Sequence, residues 1–498
     1  MLSVVVFLPL AAALALVAVP RVPDPVSRWV FVAVTAADLV LVVALWVGYD
    51  GGLAYRTDVE WVPSIGIGYR VGVDGLSLPL VALTAGLFLA CAVYSLGETR
   101  RVRSYVALFL FLETACLGLF AALDLIVFFV FFDLSIVGMY FVIAGWGHRG
   151  AARAALQFFL YTFVGSLALL LGFIGLYLAA EPRTFDMVAL ADQQPLAGRA
   201  AYGGLVLLAI VVGLAIKTPT VPFHTWLPPA HTEAPAAGSA ILAGVLLKMG
   251  TYGFVRIAMP LLPDQWRRYA LVIVVVGVVS VLYGALVALA QTDFKRMVAY
   301  TSVNHMGYVL LAVGAAGLVG SSDAGARSLA VTGAVTQMVS HGLITGALFL
   351  LAGVLYERGG TYEMAEYGGL AGPAPRFAVL TALAAFASLG LPGFSGFVAE
   401  FQIFTGALEA QPAATAVAVL GILLTAAVFL LAVQRVLLGP LRIPTGPGAT
   451  RLFPDLRARE LASVVPLVVL AVAIGVAPRF LLEVIEPAAR TVVDLVAR

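Results

Sequence analysis

The sequence predicts an all-α, polytopic membrane protein with about fourteen transmembrane helices. Of its 498 residues, 62% are hydrophobic and only 11% are charged, whereas a soluble domain carries about 25% charged residues. Apolar runs of about 20 residues, the length that crosses a hydrocarbon core of about 30 Å, recur from Leu2 to Val476. No stretch between them is large enough for a soluble domain, so a cytosolic enzyme is excluded.

Hydropathy places each span to within a few residues. The first run lacks a basic segment before it and a small-residue cleavage site, so we expect it to be a retained helix and not a signal peptide. The predicted spans, in chain order, are 2-20, 29-48, 75-96, 104-122, 125-146, 152-180, 202-229, 236-259, 269-290, 297-318, 328-356, 377-408, 413-438 and 461-478.

Basic residues predict how these spans are oriented. The odd-numbered loops contain more than twice as many Lys and Arg residues as the even-numbered loops. Cytoplasmic loops carry this excess, so both termini are expected on the non-cytoplasmic side. The tail after Pro478 has regularly spaced apolar residues, which suit either a short interfacial helix or an ordinary amphipathic end.

Charge and cysteine usage exclude further classes. A net charge of +2 spread over 29 Lys and Arg residues does not suggest a nucleic-acid partner. Cys91 and Cys116 both lie in apolar runs, and two such cysteines give neither a disulfide framework nor an iron-sulfur motif.

Three predicted spans are too long to be single straight helices, because 30 helical residues measure about 45 Å. Span 202-229 contains Pro219 and Pro222, and span 377-408 contains Gly390-Leu391-Pro392-Gly393. Span 328-356 has no such break, and we expect all three to be tilted, bent or broken.

The two Pro/Gly-interrupted spans lie five spans apart. Interrupted helices in corresponding positions of two halves indicate an ion site in transporters. We therefore predict two inverted five-helix repeats, because an odd number of spans inverts the second copy. The predicted regions are 1-103 with helices 1-3, 104-259 and 260-438 with the two repeats, and 439-498 with a cytoplasmic loop, the last helix and the tail.

Ionisable residues lie near the middle of several spans. Such a residue costs at least about 2.5 kcal/mol at the bilayer centre, so each is a candidate functional residue. Carboxylates and lysines desolvated in this way titrate closer to neutrality, and histidine already titrates there. Their number favours a proton relay, although buried ion pairs that only lock helices together are the alternative. The residues are Glu113, Asp133, Lys217, Lys248, His341 and Glu400.

Other polar residues carry weaker signals. His305 is either a hydrogen-bonded interior histidine or a member of the relay. His224 and His231 are seven positions apart with prolines between them, which is not a helical metal-ligand spacing. Lys295, in the sequence QTDFKRM, is expected in a solvated cytoplasmic turn.

Several stretches together resemble one family. They are LDLIVFFVFFDLSIVGMYFVIAGWGH, AIKTPTVPFHTWLPPAHTEAPAAGSAILAGVLLKMGTYGFVR, QTDFKRMVAYTSVNHMGYVL, QMVSHGLITGALFLLAGVLYER and LGLPGFSGFVAEF. From about Gly72 to Gly439 the chain resembles subunit M of the proton-pumping NADH:quinone oxidoreductase, respiratory complex I. Subunits L and N and the Mrp-type cation/proton antiporters share the core pattern.

The resemblance implies fourteen helices, two inverted repeats and a row of charges along the membrane mid-plane. Lys217 corresponds to the lysine of the first broken helix, which pairs with the acid at Asp133. Lys248 corresponds to the lysine of the next helix, and His341 to the link towards Glu400. His305 falls where family members place water-linked polar groups.

Three positions depart from the family pattern. Asp133 stands where Glu is usual, and losing one methylene retracts the carboxylate by about 1.5 Å. We therefore expect its pairing with Lys217 to be looser, unless the helix shifts or a water intervenes. Gln157 stands where lysine is common, and Pro229 where aspartate is common.

The resemblance also implies the partners and the cofactors. The chain is expected in the plasma (inner) membrane among L-type and N-type membrane-arm subunits, in contact with lipid and protons. NADH, FMN, iron-sulfur clusters and quinone are expected on other subunits and none on this chain, which lacks a phosphate-binding Gly-rich loop. The rivals are an Mrp-type antiporter subunit, a membrane subunit of a hydrogenase-type complex, and a structural spacer that conducts no protons.

Overall fold

A computed structural model of the chain describes residues 1–444 and 452–498, so residues 445–451 of the predicted region 439-498 lie outside the described residues. Among the described residues, eleven helices are long and apolar enough to cross a membrane. Every predicted span overlaps one helix or several helical segments in series. The prediction of a polytopic helical membrane protein is therefore confirmed.

The first six spans are uninterrupted helices. Pro9 in the first helix is tolerated in the spanning segment, as proline often is in transmembrane helices. In chain order they are α1 (Leu2–Ala18), α2 (Asp24–Val47), α3 (Leu78–Tyr94), α4 (Val102–Ala121), α5 (Leu125–Trp146) and α6 (Ala151–Ala179).

A β-hairpin between α2 and α3 was not predicted. Strands β1 (Ala54–Val62) and β2 (Ile67–Val73) pair antiparallel, with Asp58 opposite Arg70. Alternating aromatic or β-branched and charged residues in β1 are typical of a strand, so the signal was present in the loop. Arg70 donates a 2.7 Å hydrogen bond to Asp124, the N-cap of α5, and so attaches the hairpin to the helices.

The first predicted break is confirmed. The short helix α7 (Met187–Gln193) is followed by α8 (Ala200–Lys217), which stops before Pro219, and the chain becomes helical again in α9 (Leu227–Glu233). The next span is a composite of α10 (Ala236–Ile241), α11 (Leu247–Gly253) and α12 (Met259–Leu261), joined by π-helical segments at Leu242–Leu246 and Phe254–Ala258.

The second half contains the other break. Span 377-408 is divided between α16 and α17, whereas α15 is one continuous, buried helix of 36 residues, roughly 54 Å long. Span 328-356 is therefore not broken. The helices are α13 (Pro263–Leu289), α14 (Phe294–Ala316), α15 (Ala324–Gly359), α16 (Pro375–Ser388), α17 (Ser395–Ala410) and α18 (Pro412–Leu437).

Glycines let helices of the second half approach closely. A Cβ on Gly277 of α13 would lie 2.6 Å from the Leu311 nitrogen of α14, and one on Gly307 of α14 would lie 2.7 Å from the Val281 nitrogen. Small residues at such contacts allow the backbone-to-backbone packing that stabilises helices in lipid.

The C-terminal segment is a packed helix. After α19 (Ala458–Val476), α20 (Arg479–Ala497) buries Leu481, Ile485 and Val493. It packs against α15 and contacts α3 and α13. The apolar residues of the tail therefore face the protein.

Candidate functional site

The first helix break places Lys217 at the end of α8. A broken helix needs partners for its free backbone groups, which lipid cannot supply. Here Trp226 donates a 3.0 Å hydrogen bond to the Ile216 carbonyl, and the Thr220 amide donates to the Ala215 carbonyl at 3.1 Å. A cation at the last residue of a helix also interacts favourably with its dipole. The break thus holds a buried ammonium group in a defined position.

Lys217 contacts α5, but through a hydroxyl. Its Nζ donates a 3.0 Å hydrogen bond to the Ser135 Oγ and lies 4.7 Å from the centre of the Phe132 ring. In the described part of the chain, the Asp133 carboxylate forms no ion pair with this lysine; it lies beside Ser166 of α6 and acts on Lys217 over a longer distance. This agrees with the looser pairing expected for an aspartate at this position.

Lys248 is held between the two π-helical segments. Its Nζ donates to the Ala243 carbonyl at 2.6 Å and lies 2.5 Å from the Nδ1 of His341 on α15. Glycines permit this contact, because a Cβ on Gly342 would lie 2.8 Å from the Gly244 carbonyl oxygen. π-Helical segments often mark functional sites, and here they flank the lysine that joins the two halves of the chain.

The contacts continue from His341 to Glu400. The ring centres of His341 and His305 are 5.4 Å apart. His305 then lies 3.7 Å, Nδ1 to Oε1, from Glu400 of α17. The two ring nitrogens of His305 also have Gln337 at 3.2 Å and Ser388 at 3.3 Å. Predicted site residues from four different helices therefore meet in one buried cluster.

The second break accommodates the Glu400 carboxylate. Gly390 has a φ of +77°, and a Cβ at this position would overlap the Oε2 of Glu400. Glycine adopts this left-handed conformation readily and leaves room for the close approach. The Ser340 and Ser395 hydroxyls are hydrogen-bonded at 2.8 Å. They lie near a cavity of about 10 Å³ that His305, His341 and Glu400 help to line, which is about the space of one water molecule.

The two lysines are not directly joined. Within residues 1–444 and 452–498, no hydrogen bond or ion pair links Lys217 to Lys248. Helices α8 and α11 nevertheless pack closely, since a Cβ on Gly250 would lie 2.7 Å from the Leu214 carbonyl oxygen. The buried Thr218 hydroxyl at this contact has no hydrogen-bond partner. A proton crossing here needs an added bridging group, such as water.

Glu113 lies apart from this row. It is fully buried on α4, and among the described residues neither of its carboxylate oxygens has a hydrogen-bond partner. The carboxyl of Asp38 on α2, which the sequence did not single out, acts on it electrostatically. The signal was the same one that identified Glu113, because Asp38 lies in the middle of an apolar span.

At the start of α14, one expectation was wrong. Lys295 is fully buried, and its Nζ donates a 2.5 Å hydrogen bond to the Ala234 carbonyl. The carbonyl belongs to the turn after α9, which the sequence could not place against α14. Nearby, burial together with Lys295 and Arg100 lowers the pKa of His148 to about 4, so this histidine is neutral where it meets the Tyr362 hydroxyl at 3.2 Å.

Other polar residues of the site were also missed. Ser135, Gln337 and Ser388 contact the predicted lysine and histidine, but a serine or glutamine in a span carries no distinctive pattern. His231, considered above only as a metal ligand, is fully buried and stacks on Phe349 at 4.5 Å, and its two ring nitrogens have no partner among the described residues. Only the tertiary packing brings these residues near the row.

The chain is similar to known respiratory and antiporter proteins. The family model described as NADH:quinone oxidoreductase/Mrp antiporter, TM, matches residues 122–425. NADH-quinone oxidoreductase subunit M of Rickettsia bellii is 38% identical over 97% of this chain and 96% of that protein.

Solved structures show the same similarity over the whole chain. A chain of respiratory complex I from Thermus thermophilus with bound NADH has a TM-score of 0.88, at 32% identity and with 100% of both chains covered. A chain of the Mrp complex from Dietzia sp. DQ12-45-1b has a TM-score of 0.86, at 26% identity, covering 100% of this chain and 99% of that one.

Proposed function

Because this chain belongs to the subunit M family of NADH-quinone oxidoreductases, we propose that it carries protons through the membrane arm of such a complex. It is a multi-pass membrane subunit of an NADH:quinone oxidoreductase, and its part in that enzyme is translocation. Redox energy released on other subunits would drive proton transfer here. NADH, FMN, the iron-sulfur clusters and quinone belong, in this proposal, to those other subunits.

The observation that supports this function most strongly is the contact between Lys248, His341, His305 and Glu400. A base, two imidazoles and an acid in sequence can pass a proton when each group lies within hydrogen-bond reach or one water of the next. Here the distances are 2.5 Å from the Lys248 Nζ to His341 and 3.7 Å from His305 to the Glu400 carboxylate. Ion pairs that merely lock helices would not produce this arrangement, because three of the four groups are bases.

The remaining candidates extend this row towards α5. Lys217 would receive or release a proton as its interaction with Asp133 changes, with Ser135 as its direct partner. Because Lys217 and Lys248 are not in contact, the proton would cross between α8 and α11 through water. Glu113 would serve as a further protonatable group on α4, apart from the row.

The same proposal covers the internal repeats, the membrane topology and the neighbouring subunits. We infer that residues 104-259 and 260-438 are inverted five-helix repeats, each with one broken helix, and that both termini lie on the non-cytoplasmic side. The chain is a subunit of a multi-subunit complex, and we propose L-type and N-type subunits as its neighbours.

Replacing Lys248 by alanine in the reconstituted complex tests the function. NADH oxidation with an artificial electron acceptor should stay unchanged, while protons pumped per NADH should fall. Arg296→Ala, which removes an exposed cation at the start of the neighbouring helix α14, is the matched control and should pump normally. Full pumping by the Lys248→Ala variant would leave the spacer function standing.

The Mrp-type alternative is favoured by one observation, the TM-score of 0.86 with a chain of the Mrp complex. Lower identity, 26% against 38%, makes it the weaker candidate. Transport of sodium in exchange for protons by vesicles that contain the chain but no electron-input subunits would favour it over the redox function.

A further inference from the structure

A pair of carboxyl groups lies in the membrane interior, away from the row of lysines and histidines. Asp38 on α2 and Glu113 on α4 are each 0% exposed. In the described part of the chain, none of their four carboxyl oxygens has a hydrogen-bond partner. Buried polar groups are normally hydrogen-bonded, so four unpaired oxygens in one place need an explanation.

The helices that carry the two residues bring them face to face. Phe31 of α2 and Phe109 of α4 are in contact, with ring centres 5.7 Å apart. Asp38 follows Phe31 by two turns and Glu113 follows Phe109 by one turn, on the buried faces of both helices. Since α2 and α4 are both even-numbered spans and run in the same direction, the two residues differ in height by only about one turn, roughly 5 Å. The Asp38 carboxyl also acts electrostatically on Glu113.

No cation compensates these carboxyls within residues 1–444 and 452–498. Neither forms an ion pair. The other ionisable groups that interact with Glu113 are Cys91 of α3 and Cys116 of α4. Lys217 also acts on Cys116, but its ammonium group is hydrogen-bonded to Ser135. Two like charges side by side in a low dielectric repel each other and are poorly solvated. Both groups can therefore be ionised only if a cation or a neutral molecule binds between them.

We propose that Asp38 and Glu113 share a bound proton between α2 and α4 and form a second protonatable site beside the row. The proton satisfies an oxygen of each residue through one O–H···O contact and removes at least one of the two charges. This explains how α2, whose outer face exposes Trp29, Val40 and Val43, keeps an aspartate in its middle. The proposal concerns the resting protonation of the pair and does not depend on the pumping function.

Infrared spectroscopy of the full-length chain reconstituted in lipid vesicles at pH 7 tests this directly. The difference spectrum between the native chain and the double variant Asp38→Asn/Glu113→Gln should contain the C=O stretch of a protonated carboxylic acid, and this band should move to lower frequency in D2O. Loss of only the two ionised carboxylate bands would overturn the proposal. Loss of one acid band and one carboxylate band would support it, because a single shared proton gives that result.

The control distinguishes the buried carboxylic acids from an exposed aspartate. Asp50, twelve residues beyond Asp38 and exposed after the end of α2, should lose only ionised carboxylate bands when it is replaced by asparagine. If the double variant does not fold, the single variant Glu113→Gln serves instead. Its amide can no longer share the proton, so the acid band of the native chain should shift or disappear, and an unchanged band would contradict the proposal.

Discussion

The two central lysines occupy similar positions but have different surroundings. Lys248 touches His341, and neighbouring groups continue through His305 to Glu400, so this lysine begins a row that leads into the second half of the chain. Lys217 lies at a helix break, but its direct partner is a serine, and in the described part of the chain its acid, Asp133, forms no ion pair with it. The helix breaks therefore fix where the charged groups lie, whereas the length of the acidic side chain decides whether Asp133 can form an ion pair with Lys217.

The largest effect is expected from Glu400→Gln. An amide of the same shape cannot accept or release the proton that the row delivers, so protons pumped per NADH should fall by about tenfold or more. The measurement is proton uptake by vesicles containing the complex, normalised to NADH oxidation. Glu409→Gln, on the exposed side of the same helix, is the control. Equal pumping by both variants would show that the row does not end at Glu400.

Substitutions at Asp133 sharpen the comparison between the two lysines. Asp133→Glu restores the missing methylene, about 1.5 Å of reach, and should be tolerated, with a carboxylate able to meet Lys217 directly. Asp133→Asn removes the charge that acts on Lys217 and should lower coupled turnover severalfold. The pumping assay described for Glu400 measures both. Near-native turnover of the asparagine variant would exclude Asp133 as the counter-charge of the lysine.

How far the sequence predicts the site depends on which residue is considered. The spans, both breaks and the lysines, acids and histidine at membrane depth follow from hydropathy, prolines and glycines, because lipid makes every buried charge conspicuous. Which of these groups touch depends on side-chain reach and helix packing. Lys295 illustrates the limit, since its charge suggested a solvated turn, whereas the Ala234 carbonyl, distant in sequence, satisfies it inside the protein.

Asp38 and the β-hairpin were not predicted, although the sequence contains a signal for each. Asp38 lies mid-span like Glu113, and β1 alternates as a strand does. Both signals are weak beside the stronger pattern around them, since a single aspartate in α2 has no partner nearby in the sequence and a short hairpin lies between long apolar spans. The partners Ser135 and Ser388, in contrast, could not be identified from the sequence, because a hydroxyl in a span usually bonds its own helix.

The smallest and most specific effect is expected from Gly390→Ala compared with Gly393→Ala. Both glycines lie in the second break with positive φ, +77° and +97°, so either alanine costs about 1 to 2 kcal/mol of backbone strain. Only at Gly390 would the new Cβ overlap the Oε2 of Glu400; at Gly393 it meets nothing within 4 Å. Both variants should therefore lose similar thermal stability, while Gly390→Ala alone should reduce pumping, because it displaces the carboxylate from His305. Thermal unfolding and proton pumping of the two reconstituted variants measure the difference. If they pump equally, the break affects only the backbone. The position of the Glu400 carboxylate beside His305 would then not distinguish the second half of the chain from the first.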